Sequence, residues 1–281
     1  MNSILKWDGH THTAFCPHGT SAELGLYLDR AVQLGFTRYT VSEHSPLPKH
    51  WMKNEQLQRE LAMEASELPA YFDYVKNYKN RYEGVLEIWT GMEIDYLPGK
   101  PQYSLELAEQ CHHEVEDWVV SLHFLPGKDG MRCIDYTPQD FEEGLIAYYG
   151  SMEKVVDEYY NELEQGVALA AKLPGSRRLG HVNLIEKFHK ALPPIDPDQI
   201  RKRLDGLLPK LAEAGVGIDV NTAGLRVPTC GQPYVPGWFI GRCLEMGIPL
   251  VFGSDAHRPE HVGEGWNYYE ESIASFRSAR P

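Results

Sequence analysis

Seven short apolar runs recur along the chain, each bounded by glycine, proline or polar residues. They are Ile4 to Asp8, Arg38 to Ser42, Leu86 to Thr90, Trp118 to Leu122, Arg178 to Gly180, Gly217 to Val220 and Leu250 to Gly253. Their length and their content of Val, Ile, Leu and aromatic residues predict strands. Segments with helical spacing fall between them. Ser21 is placed to cap a helix running through Val32, with Gly35 as its stop. Residues 55–82 are polar and periodic, and 139–172 carries Val155, Val156, Tyr159 and Leu163 at helical spacing. Further helices are expected from Pro197 to Ala214 and from Gly237 to Met246. Strands alternating with helices predict an α/β fold with a parallel sheet or barrel, whose active site lies at the carboxyl ends of the strands. No repeat or linker divides the 281 residues. One domain is therefore expected, with a long connection at about 49–84 as a candidate lid.

The chemistry-bearing residues follow these runs. The first gives Asp8-Gly9-His10-Thr11-His12, with His18 shortly after; later runs give His44 after Glu43, Glu93 after Gly91-Met92, then His123, His181, Asp255 and His257. His10 and His12 are two apart, so an extended backbone points both imidazoles to one side. Asp255 and His257 leave a buried strand together. A single histidine at a strand end is more often a hydrogen-bonded core residue. Nine imidazoles and carboxylates on six strand ends instead predict a site for several divalent metal ions. His50, His112, His113, His189 and His261 lack that setting, although His50 and His189 sit on loops that would reach the pocket.

Composition narrows this picture. The formal charge of −13 argues against a basic nucleic-acid surface. The five cysteines are widely spaced and form no C-x-x-C pair, which fits reduced thiols in the cytoplasm rather than a disulfide scaffold. Cys16, between His12 and His18, is left outside the ligand set. No apolar stretch approaches the roughly 20 residues needed to span a bilayer.

With these motifs the chain resembles the polymerase and histidinol phosphatase (PHP) family over nearly its whole length. The resemblance implies a distorted (β/α)7 barrel with a trinuclear centre, most often zinc, with iron or manganese also found. It implies that His10, His12, Glu93 and Asp255 hold one ion. Glu93 would bridge to a second ion held with His123 and His181, and His18, His44 and His257 would hold a third. Glu43-His44-Ser45-Pro46-Leu47-Pro48 and Asn221-Thr222-Ala223-Gly224-Leu225-Arg226 are similar to the histidinol-phosphate phosphatases of this family. Two positions depart from frequent family forms: Asn183 stands where aspartate is frequent, and Asp219 where glutamate is common.

The expected reaction is hydrolysis of a phosphate monoester, with a metal-bridging hydroxide as nucleophile and L-histidinol phosphate as the substrate the resemblance implies. Arg226 is the expected phosphate clamp and Lys187 a second cation. Asp255 is the first choice for moving the leaving-group proton, with His257 beside it. Glu43, Asp219 and the 49–84 segment are candidates for reading the imidazole and amino group. The competing readings are another PHP phosphoesterase (a nuclease, or a nucleotide or phosphotyrosine phosphatase), an amidohydrolase on a similar barrel, and a noncatalytic metal-binding module. No nucleic-acid or membrane partner is expected, and the oligomeric state is left open.

Overall fold

The computed structural model describes residues 4–278. Its nine strands are β1 (Trp7–Asp8), β2 (Arg38–His44), β3 (Glu87–Asp95), β4 (Asp117–Ser121), β5 (Phe124–Gly127), β6 (Gly130–Cys133), β7 (Ser176–Leu179), β8 (Gly217–Asn221) and β9 (Leu250–Gly253). Seven of them close a barrel in the order β1-β2-β3-β4-β7-β8-β9. Every barrel pairing is parallel, as expected of strands joined by helical crossovers. Both faces of these strands are covered, so they read as continuous apolar runs rather than alternating ones. β2 and β3 run farther than the sequence pattern implied. They extend through Glu43-His44 and Glu93-Ile94-Asp95, carrying polar groups on an unbroken ladder.

The helices pack their apolar faces outside the barrel. The 152–170 helix buries Val155, Val156, Tyr159, Leu163 and Val167. The 197–214 helix buries Ile200, Leu204, Leu207, Leu208 and Leu211. Helix 24–33 begins later than the Ser21 signal suggests: Glu23 is its N-cap, without a side-chain bond. The 55–82 region divides into helices 55–61 and 68–81, separated by an extended Ala62 and a short 3-10 turn. The 139–172 region breaks at Gly150, whose φ of 88° ends one segment before Ser151 caps the next through Lys154 N. Two helices, Pro101–Cys111 and Trp266–Ser278, and the antiparallel β5-β6 hairpin were not legible in the sequence pattern.

The barrel floor holds a buried polar network. Arg178, 1% exposed, donates to Asp117 Oδ1 and to the Gly9 carbonyl. Thr40 Oγ1 donates to Asp117 Oδ2 at 2.8 Å and accepts from Trp7 Nε1 at 2.9 Å. This network ties β1, β2, β4 and β7 together directly beneath His10.

Candidate metal centre

The carboxyl-terminal rim gathers the expected donors because each stands at a strand end. His10, His123, His181 and Asp255 lie two residues past β1, β4, β7 and β9; His44 closes β2, and Glu93 lies in β3, two residues before its end at Asp95. β1 and β9 are adjacent, so the first and last donors interlock. Asp255 N donates to the His10 carbonyl at 2.7 Å, and His12 N to the Ala256 carbonyl at 2.9 Å. Asp255 takes a left-handed conformation, φ 53°, which aspartate tolerates better than most residues. Arg226 braces this turn, donating to the Ser254 carbonyl at 2.8 Å and the Asp255 carbonyl at 2.6 Å. Gly253 is needed below it, since a Cβ there would occupy the space of the Asp219 carboxylate and the His10 side chain.

Behind the imidazoles stands a row of acceptors. His10 Nδ1 donates to Asp219 Oδ2 at 2.7 Å, His12 Nδ1 to Glu43 Oε1 at 3.1 Å, and His123 Nδ1 to Asp95 Oδ1 at 2.8 Å. His18 Nδ1 donates to the Glu60 carbonyl at 2.9 Å. In each ring the Nδ1 proton is engaged, which turns Nε2 toward the cluster as the atom that would bind a metal. This is how metal-binding histidines are oriented.

Three overlapping groups result. Around Glu93 Oε2, His10 Nε2 lies at 3.3 Å and His12 Nε2 at 3.5 Å, and Asp255 Oδ1 is 3.2 Å from His12 Nε2. Around Glu93 Oε1, His181 Nε2 lies at 3.0 Å and His123 Nε2 at 3.5 Å, with the two imidazole nitrogens 3.1 Å apart. His18 Nε2 and His257 Nε2 approach to 3.2 Å. His44 stands between groups: its Nδ1 is 2.9 Å from Glu93 Oε2, while its ring is near His18 and His257. Cys16, set aside in the sequence, can bring its Sγ within 4.8 Å of donors on His12, His44 and His257. Burial and the Glu43 carboxylate push its thiol pKa up.

The buried atoms His10 Nε2, His12 Nε2, His44 Nε2, Glu93 Oε2 and His181 Nδ1 make no hydrogen bond. Buried polar atoms are rarely left so, and here most of them converge on one another. The donor set therefore fits divalent metal ions, which would supply the missing partners. The charges agree. Burial alone would raise the Glu93 carboxyl, but His10, His44 and His123 hold it well below its ordinary value. Burial would lower His12, yet the neighbouring Asp255 and Glu43 carboxylates bring it to about 9. His123 rises to about 10, burial being outweighed by Asp95 and Glu93.

A cavity of about 370 Å³ opens above the cluster. His18, His44, Glu93, His123, His181, Asp255 and His257 form its floor, while Arg226, Lys187, Asp135, Tyr136, Leu57, Glu60 and Leu61 rise around it. Lys187 Nζ donates to Asp135 Oδ2 at 2.9 Å. A separate cleft of about 360 Å³, between Leu47, the 55–65 region and Tyr103, contains none of the donors.

Two expected substrate contacts are corrected. Glu43 is fully buried and faces away from the cavity, bonding His12 Nδ1, Thr13 N at 2.9 Å and Thr13 Oγ1 at 2.8 Å. Neighbouring strand residues point to opposite sides, and with His44 turned to the cluster Glu43 turns to the Thr11–Thr13 loop. Asp219 is likewise buried behind His10. His50 pairs with Glu55 at 2.6 Å on the outer cleft, and His189 Nε2 bonds the Cys230 carbonyl at 2.7 Å; neither borders the cavity. Asn183 accepts from Tyr160 Oη at 2.7 Å, away from the donors. Sequence reasoning missed Asp95 and Asp135. Asp95 was signalled by its position two residues beyond Glu93; Asp135 follows a hairpin and had no local signal.

The PHP domain model matches residues 8–223, and the PHP-associated model matches residues 242–278. The chain is 34% identical to the histidinol-phosphatase of Bacillus subtilis (strain 168) over 268 residues, covering 95% of this chain and 99% of that protein. A Listeria monocytogenes crystal structure, provisionally named a histidinol phosphatase, is 34% identical with a TM-score of 0.89, covering 94% of this chain and 100% of that chain. A Lactococcus lactis histidinol phosphate phosphatase, crystallised with zinc, L-histidinol and phosphate, shares the fold with a TM-score of 0.73 at 15% identity, covering 96% of this chain and 94% of that one.

Proposed function

Because the chain belongs to the PHP-domain family, we propose that it is a metal-dependent phosphomonoesterase that hydrolyses L-histidinol phosphate. The observation that carries this reading is the convergence of buried imidazole and carboxylate atoms, several without hydrogen-bond partners, beneath one cavity. The 34% identity with the Bacillus subtilis histidinol-phosphatase, over nearly the full length of both chains, supports the substrate.

His10, His12, Glu93 and Asp255 would hold one ion, Glu93 with His123 and His181 a second, and His18, His44 and His257 a third. The nitrogen and oxygen donor set suits zinc, with iron or manganese as alternatives. Bound there, such ions would lower the pKa of water and offset charge on the phosphoryl oxygens.

The chain's own groups do the rest. Arg226 and Lys187 line the cavity as its two cations and would hold the phosphoryl oxygens. Asp135 keeps Lys187 charged: burial alone would lower the ammonium, but the Asp135 carboxylate raises it. Water adds to phosphorus, the bond from phosphorus to the alcohol oxygen breaks, and that oxygen takes a proton. Asp255 lines the cavity and is positioned to pass that proton through its carboxylate. His257 stands beside it, its Nδ1 3.4 Å from Asp255 Oδ1. Five unpaired cysteines fit a reducing compartment, and the cytoplasm is the proposed location. No described helix is long and apolar enough to cross a membrane.

The test is phosphate release from L-histidinol phosphate beside nucleotides, sugar phosphates and phosphotyrosine, with metal content determined. Clear preference for histidinol phosphate is expected, lost on chelation. Equal turnover of the panel would remove the substrate, and full activity without metal would remove the centre.

A further inference from the structure

The cavity is chemically two-sided. Its floor is the donor cluster, flanked by Arg226 and Lys187; its roof is the helix Glu55–Leu61. That helix presents Leu57, Glu60 and Leu61 to the cavity, the i, i+3, i+4 spacing of one helical face. Its placement is fixed at both ends. Asn54 Oδ1 accepts from Leu57 N at 3.1 Å, and the Glu60 carbonyl accepts from His18 Nδ1 at 2.9 Å. The second bond ties the roof directly to the floor.

Outside the donor set, two carboxylates line this cavity, Asp135 and Glu60. Asp135 is compensated: Lys187 Nζ lies at 2.9 Å and the Cys133 thiol donates at 3.0 Å. Glu60 has only the neutral amide of Gln56, at 3.3 Å. Glu60 thus borders the cavity with no cation paired to it among the described residues. Between roof and floor, Leu57, Leu61, Leu184, Val227 and Tyr136 supply apolar walls. A ligand suited to this arrangement carries a dianion at one end, an apolar ring or stem, and a cation at the other.

We infer that Glu60 is the specificity residue that selects phosphomonoesters whose alcohol half bears a positive charge. The inference rests on the phosphomonoesterase reading and adds how the same cavity sorts its substrates. Hydrogen bonds to charged groups are stronger than neutral ones, and losing one costs about tenfold in binding.

The experiment compares wild type with Glu60→Gln and Glu60→Lys, both at an exposed helical position, with folding checked by thermal melting. For each, kcat/KM is measured for L-histidinol phosphate and phosphoethanolamine as cationic esters, and for phenyl phosphate as the neutral one. L-Histidinol is titrated as an inhibitor. The expected result is a wild-type preference for the cationic esters that falls about tenfold in Glu60→Gln and further in Glu60→Lys. The loss should lie mainly in KM, with matching weakening of L-histidinol inhibition. A cationic-to-neutral ratio unchanged in both variants overturns the inference, as does a wild type that treats the two classes alike. A wild type that prefers cationic esters, loses that preference in the variants, and ranks another cationic ester above L-histidinol phosphate supports Glu60 and overturns only the named substrate.

Discussion

Asp219 offers the sharpest separation of shape from charge in the centre. It is fully buried, and its Oδ2 accepts from His10 Nδ1 at 2.7 Å and Asn221 Nδ2 at 3.1 Å, with His181 N at 3.4 Å. Asp219→Asn keeps the volume but removes the charge. The new amide can present N–H to His10 Nδ1, which would move the ring proton to Nε2 and close the lone pair aimed at the cluster. Partners that orient a ligating histidine are worth about 10–100-fold in metal affinity, or about 1.4–2.7 kcal/mol. Asp219→Ala adds a stability loss, because His10 Nδ1 is left without an acceptor inside the barrel and Asn221 Nδ2 keeps only Asp255 Oδ2, at 3.2 Å. At about 1–3 kcal/mol for the orphaned His10 group, with the lost Asn221 and His181 bonds added, a loss of roughly 3 kcal/mol is expected. That corresponds to a Tm lowered by roughly 6–12 °C. Competition against a chromophoric chelator reads the first effect and calorimetry the second. The Asn variant should weaken metal with a near-native melt; the Ala variant should show both losses. Native metal affinity in Asp219→Asn, or a melt within ~2 °C of wild type in Asp219→Ala, would refute the reasoning.

Other expectations are as direct. Arg178→Met leaves the Asp117 carboxylate unpaired on the barrel floor and should cost about 3–5 kcal/mol in chemical denaturation. The double change with Asp117→Leu should recover most of it, and a single variant within ~1 kcal/mol of wild type would show that the pair is not needed. The Lys187–Asp135 pair has an upward-shifted ammonium and a downward-shifted carboxyl, the former by Asp135 against burial and the latter by Lys187 against burial. Its contribution is therefore lost only as pH falls below about 4 or rises past about 10. The ratio of kcat/KM between wild type and Lys187→Met should stay constant from about pH 6 to 9, and a ratio drifting more than about threefold would contradict the assignment. In the ion-free protein His12, at about 9, and His123, at about 10, are protonated near neutrality. Loading metal should then release more than one proton per chain, measured by calorimetry in buffers of different ionisation enthalpy; heats independent of buffer would count against it.

The barrel and its donors were legible because two regular signals coincide. Buried parallel strands read as short apolar runs, and donors recur immediately after them. Signals that need a partner from elsewhere in the chain were not legible. Glu43 adjoins His44, yet strand alternation turns it behind His12 rather than toward substrate. Asp135 reaches the cavity only through the β5-β6 hairpin, and Glu60 only because its helix folds over His18. The helix Pro101–Cys111 buries Ser104, Leu107, Ala108 and Cys111, a face too small and polar to read as an apolar stripe. Trp266, Tyr269 and Ile273 serve the last helix at spacing too sparse for a confident pattern.

The meeting of β1 with β9 also sets a timetable. Asp255 joins the growing chain 245 residues after His10. At 5–20 residues per second that gap is roughly 12–50 s of synthesis. His10 and His12 must wait through it without Asp255 and without the Ala256 carbonyl that fixes their loop. Glu93, His123 and His181, in contrast, come from the middle of the chain and can meet while β9 is still unmade. The centre is thus assembled in stages, and the nascent chain passes through an interval in which part of it can take up metal before the barrel can close.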